Sequence, residues 1–123
     1  MIYKNIVIMS KLLKKGDTVL FPFNNSDGTI GKLRPCVVLN NVLDLGEVEI
    51  AMISRTQRRG VARLIVNELI DLNSMGLVDE SVIYLDKVNT VKDKFILKIL
   101  GECTPNVMKR IDEGIVLKYK LPI

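Results

Sequence analysis

The feature that most constrains this fold is a series of six short runs of β-forming residues, separated by polar or glycine-containing segments. The first run, TVLFPF, breaks into the Asn-Asn-Ser-Asp-Gly cluster at 24–28. The second contains Pro35, which cannot donate to a ladder and must lie at a strand start or edge. The predicted strands are Thr18–Phe23, Arg34–Asn40, Val48–Ser54, Ala62–Val66, Ser81–Leu85 and Phe95–Leu100.

The hydrophobic pattern becomes helical near the end of the chain. Thr104-Pro105 offers an N-cap followed by a proline at the first helical position. Apolar residues then recur at helical spacing, at Val107, Met108, Ile111, Ile115 and Tyr119. Gly114 costs this helix roughly 1 kcal/mol relative to alanine, so packing must hold the helix in place.

These elements predict a mainly β (α+β) fold, a small barrel or strongly bent sheet with a C-terminal helix over its open side. The mixed polarity of residues 67–80 predicts an irregular segment around the sheet. We expect a single domain over residues 1–123, with a leader at 1–15, the barrel at 16–103 and the helix at 104–120.

Composition limits the classes of site. The 123 residues include no histidine, and Cys36 and Cys103 have no metal-binding spacing, so we expect buried free thiols and no metal or cofactor. A net charge of +4 suits a polyanionic partner without requiring one. The chain lacks a signal-peptide core and a long apolar run, which favours the cytoplasm and no membrane association.

Arginines mark two candidate sites. In GKLRP, Arg34 lies where a turn-rich loop enters a strand, so its planar fork is available for phosphate oxygens. From Ser54 to Arg63, four arginines occur within nine residues without an acidic residue. Such a loop favours contact with a nucleic-acid backbone, although a solvated surface explains it about equally well. A third candidate is Asp86, interpreted either as a turn residue or as a carboxylate that pairs with an arginine or acts as a base.

Two long segments resemble PemK/MazF-family toxins. GDTVLFPFNNSDGTIGKLRPCVVLNN is similar to the family's opening, where Gly-Asp leads the first strand and Arg-Pro opens the second. GLVDESVIYLDKVNTVKDKFILKILGECT resembles its second half. The resemblance implies a CcdB/MazF-like, SH3-type barrel, a homodimer, cleavage of single-stranded RNA and a neutralising antitoxin with an acidic tail.

The resemblance also assigns residues. Arg34 matches the family's arginine before proline, Ser54 matches its hydroxyl residue at the end of strand three, and Asp86 matches a catalytic acidic position of the PemK branch. That branch also uses an arginine where Tyr84 stands, and a histidine that this chain lacks. We predict Arg34, Ser54 and Asp86 as catalytic residues. The predicted RNA-binding residues are Asn25, Lys32, Arg55, Gln57, Arg58, Arg59, Arg63 and Tyr84.

Two alternatives to a ribonuclease remain on the same barrel. One is a non-catalytic module that binds RNA or a protein, and the other is a toxin that targets a protein such as DNA gyrase, as CcdB does. The arginine-rich loop favours RNA over a protein target, and the pair of Arg34 and Ser54 favours catalysis over binding. A homodimer is also expected because not all of Met52, Val82 and Ile83 are expected to fit inside one core.

Overall fold

The computed structural model describes residues 13–24, 27–41, 46–55 and 62–120. One curled, six-stranded antiparallel sheet, a half-barrel, has the strand order β4-β5-β3-β2-β1-β6. Two α-helices, α1 (Leu69–Met75) and α2 (Pro105–Lys120), and a 3-10 helix at Asp93–Phe95 complete the described elements. The strands are β1 (Asp17–Asn24), β2 (Ile30–Val38), β3 (Glu47–Ser54), β4 (Arg63–Val66), β5 (Ser81–Lys92) and β6 (Lys98–Glu102).

Both faces of the sheet are buried. Because side chains alternate along a strand, Val37 and Ile53 point to one face, where they pack with Val107 and Ile111 of α2. We call this the helix face. On the opposite face, a second cluster joins three strands and the segment before β6, through Val19, Cys36, Val38, Val48, Ile50 and Ile96. This double burial explains why β3 is apolar at consecutive positions rather than only at alternate ones.

The predicted mainly β fold with a C-terminal helix is confirmed. The Thr104 cap forms as expected, since its Oγ1 accepts a hydrogen bond from the Val107 N–H at 3.3 Å. The same hydroxyl donates to Asp71 Oδ1 at 2.6 Å, which ties the start of α2 to α1. At Gly114 a Cβ would lie 2.6 Å from Leu85 Cδ1, so the glycine permits the close packing of α2 on β5.

Three sequence-based predictions are wrong in detail. Residues 67–80 contain α1, a short helix that buries Leu72 and Met75 and is capped by Gly76, whose φ of 71° is left-handed. β5 extends to Lys92 instead of ending at Leu85. The last strand begins at Lys98 rather than Phe95, because residues 93–95 form a 3-10 turn closed by the Ile96 N–H on the Asp93 carbonyl.

Val82 and Ile83 are buried within the chain, and Met52 is half-buried, so the apolar surplus expected at Val82 and Ile83 is absent. No helix in the described part of the chain is long and apolar enough to cross a bilayer.

Candidate functional site

A cleft opens where β2 and β3 stop pairing. Their ladder runs from Val38–Ile50 to Cys36–Met52, and β2 continues beyond it through Pro35 and Arg34. Pro35 lies inside β2 but outside this ladder, so it occupies a local strand edge toward β3, as its missing N–H requires. Beyond the ladder, alternation places Arg34 and Ser54 on the face opposite the helices. Both residues are half-buried and line the same cleft of about 520 Å³.

A bulge in β5 forms the other wall of this cleft, which we call the reaction cleft. On β3, Ala51 pairs with Val88 but Ile53 pairs with Ile83, so residues 84–87 bulge out of the β3–β5 ladder. Tyr84 and Lys87 of this bulge line the reaction cleft. Asp86 therefore lies in the middle of a long, bulged strand, and its interpretation as a turn residue after a strand that ends at Leu85 is wrong.

Arg63 of β4 connects the bulge to the cleft. It pairs with Tyr84 across the β4–β5 ladder, and its guanidinium carbon lies 4.6 Å from the Tyr84 ring centroid. Its Nη2 lies 3.2 Å from Asp86 Oδ2, in an ion pair whose side chains are 16% and 38% exposed. Lys87 Nζ lies 5.5 Å from the same ring. The ring and the carboxylate together hold the Arg63 guanidinium in one orientation at the cleft wall.

The reaction cleft is suited to an anion. Arg34, Arg63 and Lys87 contribute positive charge to its lining, and the Ser54 hydroxyl adds a neutral hydrogen-bonding group. Fixed guanidinium groups bind phosphate oxygens with defined geometry. Five of the lining residues were not predicted from the sequence: Phe23, Asn24, Met52, Lys87 and Asn89. The signal for Asn89 was missed because β5 was predicted to end before it.

The remaining predicted residues divide into two groups. Lys32 and Arg55 line a second cleft on the other side of Arg34 and Ser54, which form the wall shared by both clefts. There, Arg55 Nη1 lies 3.3 Å from Asp79 Oδ2 in an exposed ion pair, a kind that contributes little to stability. Asn25, Gln57, Arg58 and Arg59 lie outside the described residues, so the role of the arginine-rich loop stays a prediction.

The thiols are buried on both sides of the sheet. Burial raises the pKa of Cys36 and that of Cys103 to about 12, so both are protonated at neutral pH and are poor nucleophiles. Among the residues that the structure describes, no three His, Cys, Asp or Glu side chains lie together as a metal ion would require.

Comparisons with known proteins agree with this geometry. A family model described as PemK-like, MazF-like toxin of type II toxin-antitoxin system matches residues 14–118. A search of curated protein sequences found no match.

The fold is shared with several solved toxins. An endoribonuclease in complex with its cognate antitoxin, from a mycobacterial species, is 16% identical, with a TM-score of 0.68 over 90% of this chain and 98% of that one. A MazE–MazF complex from Deinococcus radiodurans is 15% identical, with a TM-score of 0.69 over 90% of this chain and 99% of that one. The Mycobacterium tuberculosis toxin MazF-mt6 is 18% identical, with a TM-score of 0.61 over 85% and 99%. At sequence identities this low, the similarity establishes a shared fold and nothing beyond it.

Proposed function

The chain belongs to the PemK-like, MazF-like toxins of type II toxin–antitoxin systems, and we propose that it is an endoribonuclease that cuts single-stranded RNA in the cytoplasm without a metal ion. The observation that carries this proposal is the position of Arg34 and Ser54 in one cleft with Arg63, whose guanidinium is ion-paired to Asp86. This arrangement supports the proposal because it offers donors for phosphate oxygens and a carboxylate that can accept a proton, without histidine or a metal ion.

The reaction is an internal transfer within the RNA. The 2′-hydroxyl oxygen attacks the adjacent phosphorus, the bond to the 5′-oxygen breaks, and the products are a 2′,3′-cyclic phosphate and a 5′-hydroxyl. Arg34 binds the non-bridging oxygens of the anionic phosphorane with its two-pronged fork, and the Ser54 hydroxyl donates to one of them. Each oriented donor of this kind is worth roughly 3–4 kcal/mol in the transition state.

The charged groups around Arg63 suggest which group accepts the 2′-hydroxyl proton and which does not. Arginine does not deprotonate in proteins, so neither Arg34 nor Arg63 acts as the base. Asp86 is the carboxylate ion-paired to a residue that lines the cleft, and we assign it as acceptor of the 2′-hydroxyl proton. The leaving 5′-oxygen takes its proton from solvent, and Arg63 holds the carboxylate in place.

The first test concerns metal dependence. Purified protein incubated with a long RNA in EDTA should cut it in single-stranded regions and leave 2′,3′-cyclic phosphate and 5′-hydroxyl ends. Mapping of the 5′ ends and analysis of the end groups checks both points. An Arg34→Ala variant purified in parallel controls for contaminating nuclease. A strict requirement for added Mg²⁺, or 5′-phosphate ends, would contradict the mechanism.

The proposed partners are a second copy of this chain and a cognate antitoxin with an acidic tail. The positively charged reaction cleft suits such a tail, and two of the similar structures are complexes with an antitoxin. Light scattering at micromolar concentration should give twice the 13.8 kDa chain mass. The complex with its antitoxin should be larger and should no longer bind RNA. A monomeric mass counts against the dimer, and unchanged RNA binding counts against competition by the tail.

A further inference from the structure

An aromatic cleft adjoins the reaction cleft. The chain contains only three phenylalanines. All of them, Phe21, Phe23 and Phe95, line this aromatic cleft, which has a volume of about 520 Å³. The Phe21 and Phe23 rings meet edge to face, with centroids 5.2 Å apart. Polar groups at the rim come from Asn24, Asn89 and Thr90. An apolar floor with a few polar groups is typical of a small-ligand site.

Core packing does not account for Phe95. Phe21 and Phe23 are half-buried against the cluster of Val19 and Val38, but the Phe95 side chain is 52% exposed. The backbone that carries this ring is held in place, because the Asp93 N–H donates to the Gly46 carbonyl at 2.8 Å and the Ile96 N–H donates to the Asp93 carbonyl at 3.0 Å. Phe95 therefore presents an exposed aromatic ring from a well-defined backbone position. Lys94 Nζ lies 5.3 Å from its ring centroid.

The aromatic cleft and the reaction cleft share three lining residues, Phe23, Asn24 and Asn89. A ligand whose phosphate lies at Arg34 can therefore continue into the aromatic cleft without leaving the protein surface. A single RNA strand has this chemistry, because its bases alternate with its phosphates and each base has a face that stacks on aromatic rings. Asn24 and Asn89 offer both donors and acceptors for the edge of such a base.

We propose that the aromatic cleft binds one unpaired nucleobase of the RNA strand whose phosphate occupies the reaction cleft. Phe95 provides the stacking face, and Asn24 and Asn89 contact the base edge. The inference rests on the proposed function, because that proposal identifies the bound ligand as single-stranded RNA. It adds a base-binding subsite beside the reacting phosphate.

The experiment separates base stacking from backbone attraction. Two ten-nucleotide probes are used with the full chain: 2′-O-methyl oligoadenosine, and the same backbone without bases. Both have the same number of phosphates, and neither can be cut because the attacking hydroxyl is blocked. Dissociation constants are measured by fluorescence anisotropy at one salt concentration for the wild type, Phe95→Leu and Phe95→Tyr, after the melting temperatures have verified folding.

The wild type should bind the adenosine probe about 5- to 150-fold more tightly than the abasic one, the range expected for stacking of one base. Phe95→Leu should lose most of this ratio and Phe95→Tyr should keep it, while affinity for the abasic probe stays the same in all three proteins. An unchanged ratio in Phe95→Leu would overturn the subsite.

Failure of the subsite and failure of the proposed function can be told apart. If RNA is cleaved with dependence on Arg34 but Phe95→Leu leaves the ratio unchanged, the subsite alone is wrong. If no RNA is cleaved but the ratio still depends on Phe95, the base site stands and the proposed catalysis falls.

Discussion

Replacement of Arg34 by lysine is expected to lower kcat for RNA cleavage by about two orders of magnitude or more, the scale of losing one oriented donor. Lysine keeps the positive charge but not the planar fork that meets two phosphate oxygens together. The side chain is half-buried at the cleft wall and lies outside the β2–β3 ladder, so the melting temperature should change little. Single-turnover cleavage of a short RNA and thermal melting measure the two effects.

The same substitution elsewhere provides a matched control. Arg110 on α2 donates from Nη2 to the Ile65 carbonyl at 2.7 Å and has no role in the proposed mechanism. Arg110→Lys should therefore leave kcat unchanged. Ser54→Ala should lower kcat in the same direction as Arg34→Lys, and the double variant should lose less than the sum if both residues serve one phosphorane. Near-normal cleavage by Arg34→Lys, or a loss accompanied by unfolding, would show that Arg34 is structural.

The proposed catalytic pair, Arg34 and Ser54, is easier to pick out from the sequence than the residues around it. Arg34 and Ser54 are found from local signals, since one stands at an Arg-Pro pair and the other at the end of an apolar run. The two residues share a cleft because β2 pairs with β3 in one particular register. That register is a tertiary feature that neither segment reveals by itself. The arginine missing at position 84 is a different case. Arg63, a neighbour of Tyr84 on the adjacent strand, supplies a guanidinium over that ring, and no pattern within one segment reveals such a cross-strand pair.

The aromatic cleft was missed for a related reason. Phe95 was predicted as the first residue of a strand, because FILKIL is a short apolar run that is typical of a strand. The choice is made by tertiary hydrogen bonds, since the Leu97 N–H pairs with the Leu20 carbonyl while residues 93–95 turn. In the same way, α1 is too short and too mixed in polarity to give a periodic signal, and it is stabilised by packing rather than by propensity.

Replacement of Asp86 by asparagine is expected to lower kcat by about 10²- to 10⁴-fold, the usual contribution of a positioned general base. Asparagine keeps the size of the side chain and can still accept a hydrogen bond from Arg63, but it cannot take the 2′-hydroxyl proton. If Asp86 acts as the base, the loss should fall on kcat with KM little changed. A structural role in holding Arg63 would instead raise KM, because a displaced guanidinium weakens binding of RNA.

A second carboxylate–arginine pair in the chain provides the control for Asp86. Asp79 lies 3.3 Å from Arg55 in an exposed pair outside the reaction cleft, so Asp79→Asn removes the same charge from a similar contact. This variant should leave kcat unchanged. If Asp86→Asn retains the full kcat, or if its loss appears only in KM, Asp86 is a positioning residue for Arg63 and the proton is taken by solvent.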